Sequence, residues 1–338
     1  MAENAALDLT KKDFESDQEV RWCPGCGDYS VLAAVQRLLP KLGTPRENHV
    51  FVSGIGCSAR FPYYMNTYGF HTIHGRAPAI ATGLKLTRPE LTVWVITGDG
   101  DSLSIGGNHL MHMCRRNLDV NILMFNNRIY GLTKGQYSPT SERGKVTKST
   151  PMGSVDHPVN PLAFVLSCGA SFVGRCLDVD AKNLMEVIER AVQHRGTSFV
   201  EIFQNCNVFN DRTHAHMSER SVRKERQVHL VDGELAVFGD AQDKVLAIER
   251  DGPLVLQRNA LSTESPELHY RVDCFAHAMT MATLDPESFP IPMGVLYQKE
   301  RETFDHAARS QVIEAIERRG AGDLEQLVYG GDTWTVDG

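Results

Sequence analysis

The chain has 338 residues, 42% hydrophobic and 23% charged, the balance of a soluble folded protein and not of a disordered or collagen-like one. Lys plus Arg number 35 against 42 Asp plus Glu, a net charge of −7, which argues against a nucleic-acid binder because affinity for a phosphate backbone comes from cations. Residues 1–19 are a polar arm without the basic and apolar stretches of a secretory leader, and no segment reaches the roughly 18 apolar residues of a membrane span. A cytoplasmic protein with reduced thiols is therefore expected.

After that arm, Cys23-Pro-Gly-Cys-Gly27 is a tight loop feeding an apolar pattern at Val31, Leu32, Val35, Leu38 and Leu39, whose spacing is helical. His49 to Ser53 reads as a short buried strand closed by Gly54-Ile-Gly56, and Pro78 to Leu86 as a helix with proline in its first turn. Leu91 to Thr97 is a β-branched run of the kind buried on both faces of a sheet, and it stops at Gly98-Asp99-Gly100-Asp101. A helix to about Asn117 follows, then the strand Val120 to Phe125, ending at Asn126-Asn127. This is a β-α-β unit whose strands should be parallel.

Tyr130 to Asn160 is irregular and longer than a usual connection, which marks it as a functional loop. Asn160-Pro161 starts a helix to about Cys168, followed by a short strand at Ala170 to Val173, a helix from Ala181 to His194 and a strand from Ser198 to Phe203. The alternation predicts a doubly wound α/β domain over residues 20–226. From residue 227 the segments VHLV, LAVF, VLAI and PLVL, with turns at Asp232-Gly233 and Asp251-Gly252, predict a β-rich C-terminal extension ending in a charged helix and a polar tail.

Parallel strands of one β-α-β unit finish at the same sheet edge, where ligands of open α/β folds bind. Asp99 and Asn127 both follow strand ends, so a carboxylate and an amide oxygen can converge on one point, with the carbonyl of Ile129 beside them. Such oxygen ligands suit Mg²⁺ that shares its coordination with phosphate. Gly98 and Gly100 allow close approach of a phosphate, and the helix start near Ser102 offers free N–H groups. One Gly-Asp-Gly alone is a turn, but GDG at one strand end and NN at the next resembles the Mg-diphosphate signature of thiamine diphosphate enzymes. Gly54-Ile-Gly56-Cys-Ser-Ala59 also fits the dinucleotide fingerprint, yet the acid that would hold the ribose is missing: no Asp or Glu stands between Glu47 and Glu90.

Of the eight cysteines, Cys23 and Cys26 are spaced for one metal centre, and alone the pair reads as half a zinc site, a redox dithiol or a coincidence. Cys57 and Cys206 each follow a predicted strand and could reach the same edge; four thiolates would suffice for a [4Fe-4S] cluster. Cys114, Cys168, Cys176 and Cys274 read as buried structural residues.

CPGCGDYSVLAAV, SGIGCS, HGRAPAIATGLKL, the series from GDGDSLSIGGNH through RRN to FNN, and YGLTKGQYSPT together resemble the β subunit of 2-oxoacid:ferredoxin oxidoreductases, most closely the 2-oxoglutarate branch. The resemblance implies that Cys23, Cys26, Cys57 and Cys206 hold one [4Fe-4S] cluster and that Asp99, Asn127 and the Ile129 carbonyl bind Mg²⁺. It implies thiamine diphosphate contacts at Ile55, Gly56, Cys57, Ser58, His74, Gly98, Gly100, Asp101, Gly131 and Leu132, with His74 the catalytic candidate.

The implied reaction is reversible oxidative decarboxylation of 2-oxoglutarate with coenzyme A to succinyl-CoA and CO₂, electrons passing through the cluster to ferredoxin. A separate α subunit, in an α2β2 assembly, would carry the rest of the active site. Arg76 or Lys134 could meet the distal carboxylate of a dicarboxylate substrate, and the cluster Arg220, Arg223, Lys224 and Arg226 could meet an acidic ferredoxin; each is equally a solvated charge. Alternatives are a relative acting on pyruvate or branched 2-oxoacids, a cluster-free thiamine-dependent decarboxylase, and a non-catalytic zinc-ribbon scaffold.

Overall fold

A computed structural model describes residues 9–249, 252–260 and 269–336. Residues 1–8 of the polar arm and Asp251 of the second turn lie outside the described residues. The α/β fold is built from strands β1 (His49–Ser53), β2 (Tyr68–His71), β3 (Thr92–Gly98), β4 (Val120–Asn126), β5 (Phe172–Leu177) and β6 (Thr197–Phe203). Its first helices are α1 (Asp28–Leu38), α2 (Ala77–Thr87), α3 (Asp99–Leu103), α4 (Gly107–Arg116), α5 (Pro161–Ser167) and α6 (Ala181–Gln193). No helix or strand is assigned between β4 and α5, as the long irregular segment predicted.

Local chemistry explains these boundaries. Asn160 caps α5 by accepting from Ala163 N at 3.1 Å, and Asp180 caps α6 by accepting from Asn183 N at 3.2 Å. Asn117 ends α4 in the left-handed region, φ 52°, which asparagine tolerates better than most residues. The runs Val93 to Ile96 and Ile122 to Phe125 are buried throughout, as expected of strands covered on both faces. Phe51 stacks on Trp94 at 5.5 Å and Phe61 packs on Phe51 at 5.5 Å, joining neighbouring strands and a loop in one core. Each such aromatic contributes on the order of 2 kcal/mol by leaving water.

After β6 come two one-turn helices, and beyond residue 226 a second set of strands. The short helices α7 (Ala215–Ser218) and α8 (Arg223–Arg226) lead into β7 (Gln227–Leu230), β8 (Ala236–Phe238), β9 (Lys244–Glu249) and β10 (Gly252–Gln257). Then follow α9 (Phe275–Ala282), β11 (Ile291–Gln298), α10 (Phe304–Arg319) and α11 (Leu324–Val328). The main sheet has eight strands in the order β2-β1-β3-β4-β6-β5-β11-β7, and β10-β9-β8 form a small antiparallel sheet.

The extension therefore departs from a run of hairpins. VHLV, as β7, pairs in parallel with β11 inside the main sheet, and only the three following strands pair as successive antiparallel neighbours. Neither β2 nor β11 has a strand-like sequence signal: β2 is an exposed edge, and β11 carries Pro292 and Gly294. Residues 311–336 are exposed, and among the described residues no helix is long and apolar enough to cross a membrane.

Register places the site. Ser53 pairs with Ile96, Gly98 with Phe125, and Asn126 with Phe203, so β1, β3, β4 and β6 end side by side and pointing the same way. The loops after these four strands share one edge of the sheet.

Candidate active site

Those loops enclose a concave pocket at the sheet edge, where ligands of open α/β folds bind. Its lining includes every residue expected at the cofactor: Ile55, Gly56, Cys57, Ser58, His74, Gly98, Gly100, Asp101, Gly131 and Leu132. Asp99, Asn127 and Ile129 line the same pocket, together with Asp28 and Tyr130. The loop after β1 supplies Ile55 to Ser58, the start of α3 supplies Asp99 to Asp101, and the segment after β4 supplies Asn127 to Leu132.

Asp99 is 2% exposed, and its Oδ2 accepts from Ser138 Oγ and Thr140 Oγ1, both at 2.5 Å. Burial nevertheless pushes its carboxyl up to about 6, because the hydroxyls only partly replace lost water. A buried carboxylate in this state favours a cation beside it. Asn127 Oδ1 accepts from Ile129 N at 3.1 Å, so the amide and the Ile129 peptide are held in one turn. Gly100 is obligatory where it stands: a Cβ would lie 2.1 Å from the Tyr130 ring, whose hydroxyl donates to Gly100 O at 3.1 Å. This oxygen donor set and the glycine-lined backbone fit Mg²⁺ and a diphosphate.

Asp101 organises the walls. Its Oδ1 accepts from Ile55 N at 3.2 Å and Gly75 N at 2.7 Å, while its Oδ2 accepts from Thr97 Oγ1 at 2.9 Å. Three chain segments thus meet on one carboxylate, which burial raises above the usual range although each bond pulls it down. A Cβ on Gly54 would lie 1.8 Å from Asp101 Oδ2, which explains the glycine. His74 is exposed on the pocket wall, with its own backbone held through Gly75 and through Arg76 Nη1, which donates to His74 O and Ile105 O at 3.3 Å each. Arg76 is therefore committed to the loop, which weakens its candidacy for a substrate carboxylate.

Two of the thiols, Cys57 and Cys206, come together beside this pocket. A Cβ on Gly131 would stand 3.4 Å from Cys206 Sγ and 3.7 Å from Cys57 Sγ. Burial pushes Cys57 up to about 12, with the charges of Asp28, Cys206 and Cys23 adding to the rise. Burial likewise raises Cys26 strongly, with Asp28, Cys57 and Cys206 adding to it, while Gln204 Nε2 donates to its sulfur at 3.2 Å. Thiolates so placed repel one another unless a cationic centre holds them. Among the described residues, no group of three or more His, Cys, Asp or Glu is placed to hold a metal ion. Cys114 and Cys176 are buried, whereas Cys168 and Cys274 are only half-buried.

Three parts of the site had no sequence signal. Asp28, 1% exposed and pushed up to about 7 by burial, stands between the Cys26 thiol and the pocket. Ser138 and Thr140 lie in the quoted YSPT stretch but received no role. Trp22 Nε1 donates to Cys57 O at 2.7 Å, fixing the loop that joins pocket and thiols. Of the basic cluster, Arg223 donates to Ser218 O and Arg226 to Pro286 O, so two of its four cations serve the chain itself.

Residues 54–202 match the family described as thiamine pyrophosphate enzyme, C-terminal TPP binding domain. The chain is 53% identical to the 2-oxoglutarate oxidoreductase subunit KorB of Mycobacterium tuberculosis over 330 residues, 96% of this chain and 88% of that one. It is 37% identical to the 2-oxoglutarate synthase subunit KorB of Methanocaldococcus jannaschii over 212 residues, 62% of this chain and 78% of that one. Its fold matches a solved 2-oxoglutarate:ferredoxin oxidoreductase from Magnetococcus marinus, with 2-oxoglutarate, coenzyme A and succinyl-CoA bound, at a TM-score of 0.76 and 31% identity. That match covers 97% of this chain and 98% of the other. A thiamine-binding domain whose pocket abuts the thiols of Cys57 and Cys206, and relatives alike over nearly the whole length, lead to one assignment: the chain belongs to the family of 2-oxoacid:ferredoxin oxidoreductase β subunits.

Proposed function

We propose that this chain is the β subunit of a 2-oxoglutarate:ferredoxin oxidoreductase, catalysing reversible oxidative decarboxylation of 2-oxoglutarate with coenzyme A to succinyl-CoA and CO₂. The observation that carries the reading is the position of Cys57, which lines the pocket and also lies beside Cys206 across Gly131. One residue thereby joins a carbanion site to an electron-accepting site. Thiamine diphosphate supplies the carbanion chemistry, and a [4Fe-4S] cluster supplies one-electron transfer toward ferredoxin.

The chain's own residues have separable tasks. Asp99, Asn127 and the Ile129 carbonyl would hold Mg²⁺, while Ile55, Gly56, Ser58, Gly98, Gly100, Gly131 and Leu132 would wall the cofactor. Asp101 holds the loops in place by its three hydrogen bonds. His74, on a pinned backbone, is the side chain suited to give or take a proton at the substrate. Cys23, Cys26, Cys57 and Cys206 would each bind one iron.

The distal carboxylate of the substrate is assigned to a basin that adjoins the pocket through Ile55, Gly56 and Leu132 and is lined by Arg60, Tyr63 and His71, with Arg21 paired to Glu19 at 2.8 Å beside them. Lys134 lines neither space and is exposed. The name of the mycobacterial relative as a subunit supports a separate α subunit, which we place in an α2β2 assembly, with ferredoxin as electron acceptor. Reduced thiols that hold iron suit the cytoplasm.

Anaerobic co-expression with the α subunit tests the reading. A brown protein whose blue-region absorption is bleached by dithionite, and which reduces ferredoxin with 2-oxoglutarate faster than with pyruvate or branched 2-oxoacids, is expected. A colourless protein with stoichiometric zinc overturns the cluster, and a preference for pyruvate overturns the substrate.

A further inference from the structure

Asp99 is held by buried hydroxyls that the reaction does not directly use, and a buried polar cluster around Glu201 lies beside them. Glu201 in β6 is 1% exposed, and its Oε2 accepts from Arg175 Nε at 2.7 Å. Its Oε1 accepts from Asn126 Nδ2 at 2.7 Å. An ionised carboxylate only accepts, so the Asn126 amide can point its nitrogen only at Glu201, and its oxygen must face the other way. That oxygen lies 2.9 Å from Thr140 Oγ1 and 3.3 Å from Arg128 N.

A threonine hydroxyl has one proton to give. Arg128 N–H already serves Asn126 Oδ1, which leaves the Thr140 proton for Asp99 Oδ2 at 2.5 Å. Ser138 donates to the same oxygen at 2.5 Å. Two donors on one oxygen hold the carboxylate against rotation at the pocket wall. The segment that brings them is itself fastened: Ser138 N donates to Ser141 Oγ at 2.8 Å, and Ser141 Oγ donates to Arg128 O at 2.6 Å. Ser138, Thr140 and Ser141 are 2%, 4% and 3% exposed although no helix or strand contains them, so this stretch of loop is as buried as the strands of the sheet.

We propose that Ser138 and Thr140 are positioning residues for the magnesium-diphosphate site, fixing Asp99 by two hydroxyl donors on one carboxylate oxygen in a loop fastened through Ser141 to Arg128 O. The inference rests on the magnesium reading of Asp99 given above. Groups of this kind orient a metal ligand without touching the metal, and removing one typically lowers metal affinity by 10- to 100-fold.

The test uses the complex with the partner subunit, stripped of thiamine diphosphate and Mg²⁺, titrated with Mg²⁺ at fixed thiamine diphosphate and followed by calorimetry. Thr140→Val keeps the shape and removes the hydroxyl; Ser138→Ala removes the other donor on the same oxygen. Each is expected to raise the half-saturating Mg²⁺ about tenfold or more at unchanged iron content, and Thr140→Ser to restore it. Wild-type Mg²⁺ dependence in both hydroxyl-free variants overturns the positioning role, as does failure of Thr140→Ser to restore binding. Asp99→Asn separates the two levels. If it abolishes the Mg²⁺ response while the hydroxyl variants keep it, only the positioning inference fails; if Asp99→Asn itself keeps the response, the magnesium reading fails and takes the inference with it.

Discussion

Cys57 and Cys206 face each other across Gly131, whose backbone leaves room for a Cβ only 3.7 Å from one sulfur and 3.4 Å from the other. One thiol follows β1 and the other follows β6, with β3 and β4 lying between those strands in the sheet. Only the shared direction and register of the four strands brings the sulfurs together. Cys206→Ala is therefore expected to lose bound iron, whereas Cys176→Ala keeps it. Cys176 is fully buried within β5, its sulfur 3.9 Å from Glu201 O and inside the sheet rather than in a strand-end loop. Iron and acid-labile sulfide assays on the anaerobically purified complexes decide this, and equal iron in both variants removes Cys206 from the ligand set.

Asp101 joins three segments that are otherwise held together mainly at the strands. Asp101→Ala leaves the buried Gly75 N–H and Thr97 hydroxyl without their acceptor and removes the tie to Ile55. Loss of charge-assisted bonds with donors left unpaired predicts destabilisation of about 3 kcal/mol. Denaturant unfolding without added thiamine diphosphate measures this apart from any loss of cofactor binding. A variant as stable as wild type would reduce Asp101 to one more pocket-lining group.

The strand ends were legible in the sequence because they combine two strong signals. A continuous β-branched run such as Val93 to Ile96 specifies a doubly covered strand, and the GDG or NN that follows marks where it stops. Chain order alone could say that Asp99 and Asn127 share an edge, but not that β1 and β6 flank them; that needed the sheet order, which follows from long-range pairing. β11 was hidden for a local reason, since Pro292 and Gly294 punctuate a stretch that pairs antiparallel to β5 with a register shift between Val295 and Tyr297. Ser138 and Thr140 were hidden for another. Small hydroxyl residues dominate surface loops, and nothing in their spacing distinguishes a hydroxyl in solvent from one buried against a carboxylate.

Arg60 replaces Arg76 as the residue to test for substrate recognition. It lines the basin beside Ile55 and Leu132, whereas Arg76 is occupied by the carbonyls of His74 and Ile105. Arg60→Met keeps the aliphatic stem and removes the charge. A dicarboxylate should lose about 10- to 100-fold in kcat/KM, the effect of one charge-assisted contact, while a monocarboxylate 2-oxoacid changes little. Steady-state kinetics with 2-oxoglutarate and pyruvate on the complex measure the difference. A parallel fall for both substrates would show that Arg60 shapes the pocket without reading the distal carboxylate.

His49 gives the fold a pH dependence that is independent of the site. The ring is fully buried between Phe14 and Trp94, and its Nδ1 accepts from Trp94 Nε1 at 3.4 Å. Burial pushes its pKa down to about 4, against about 6.5 in an unfolded chain. Between these values the unfolded state binds the proton and the folded state does not, so stability is complete above pH 6.5 and is lost as pH falls toward 4. At pH 5 this histidine alone accounts for a loss of about 2 kcal/mol relative to pH 7.5. His49→Gln keeps an acceptor for Trp94 and cannot be protonated, so its stability should fall less on acidification by about that amount. Urea unfolding of both proteins at pH 7.5 and pH 5 provides the comparison, and identical acid sensitivity would mean that His49 is charged inside the folded core.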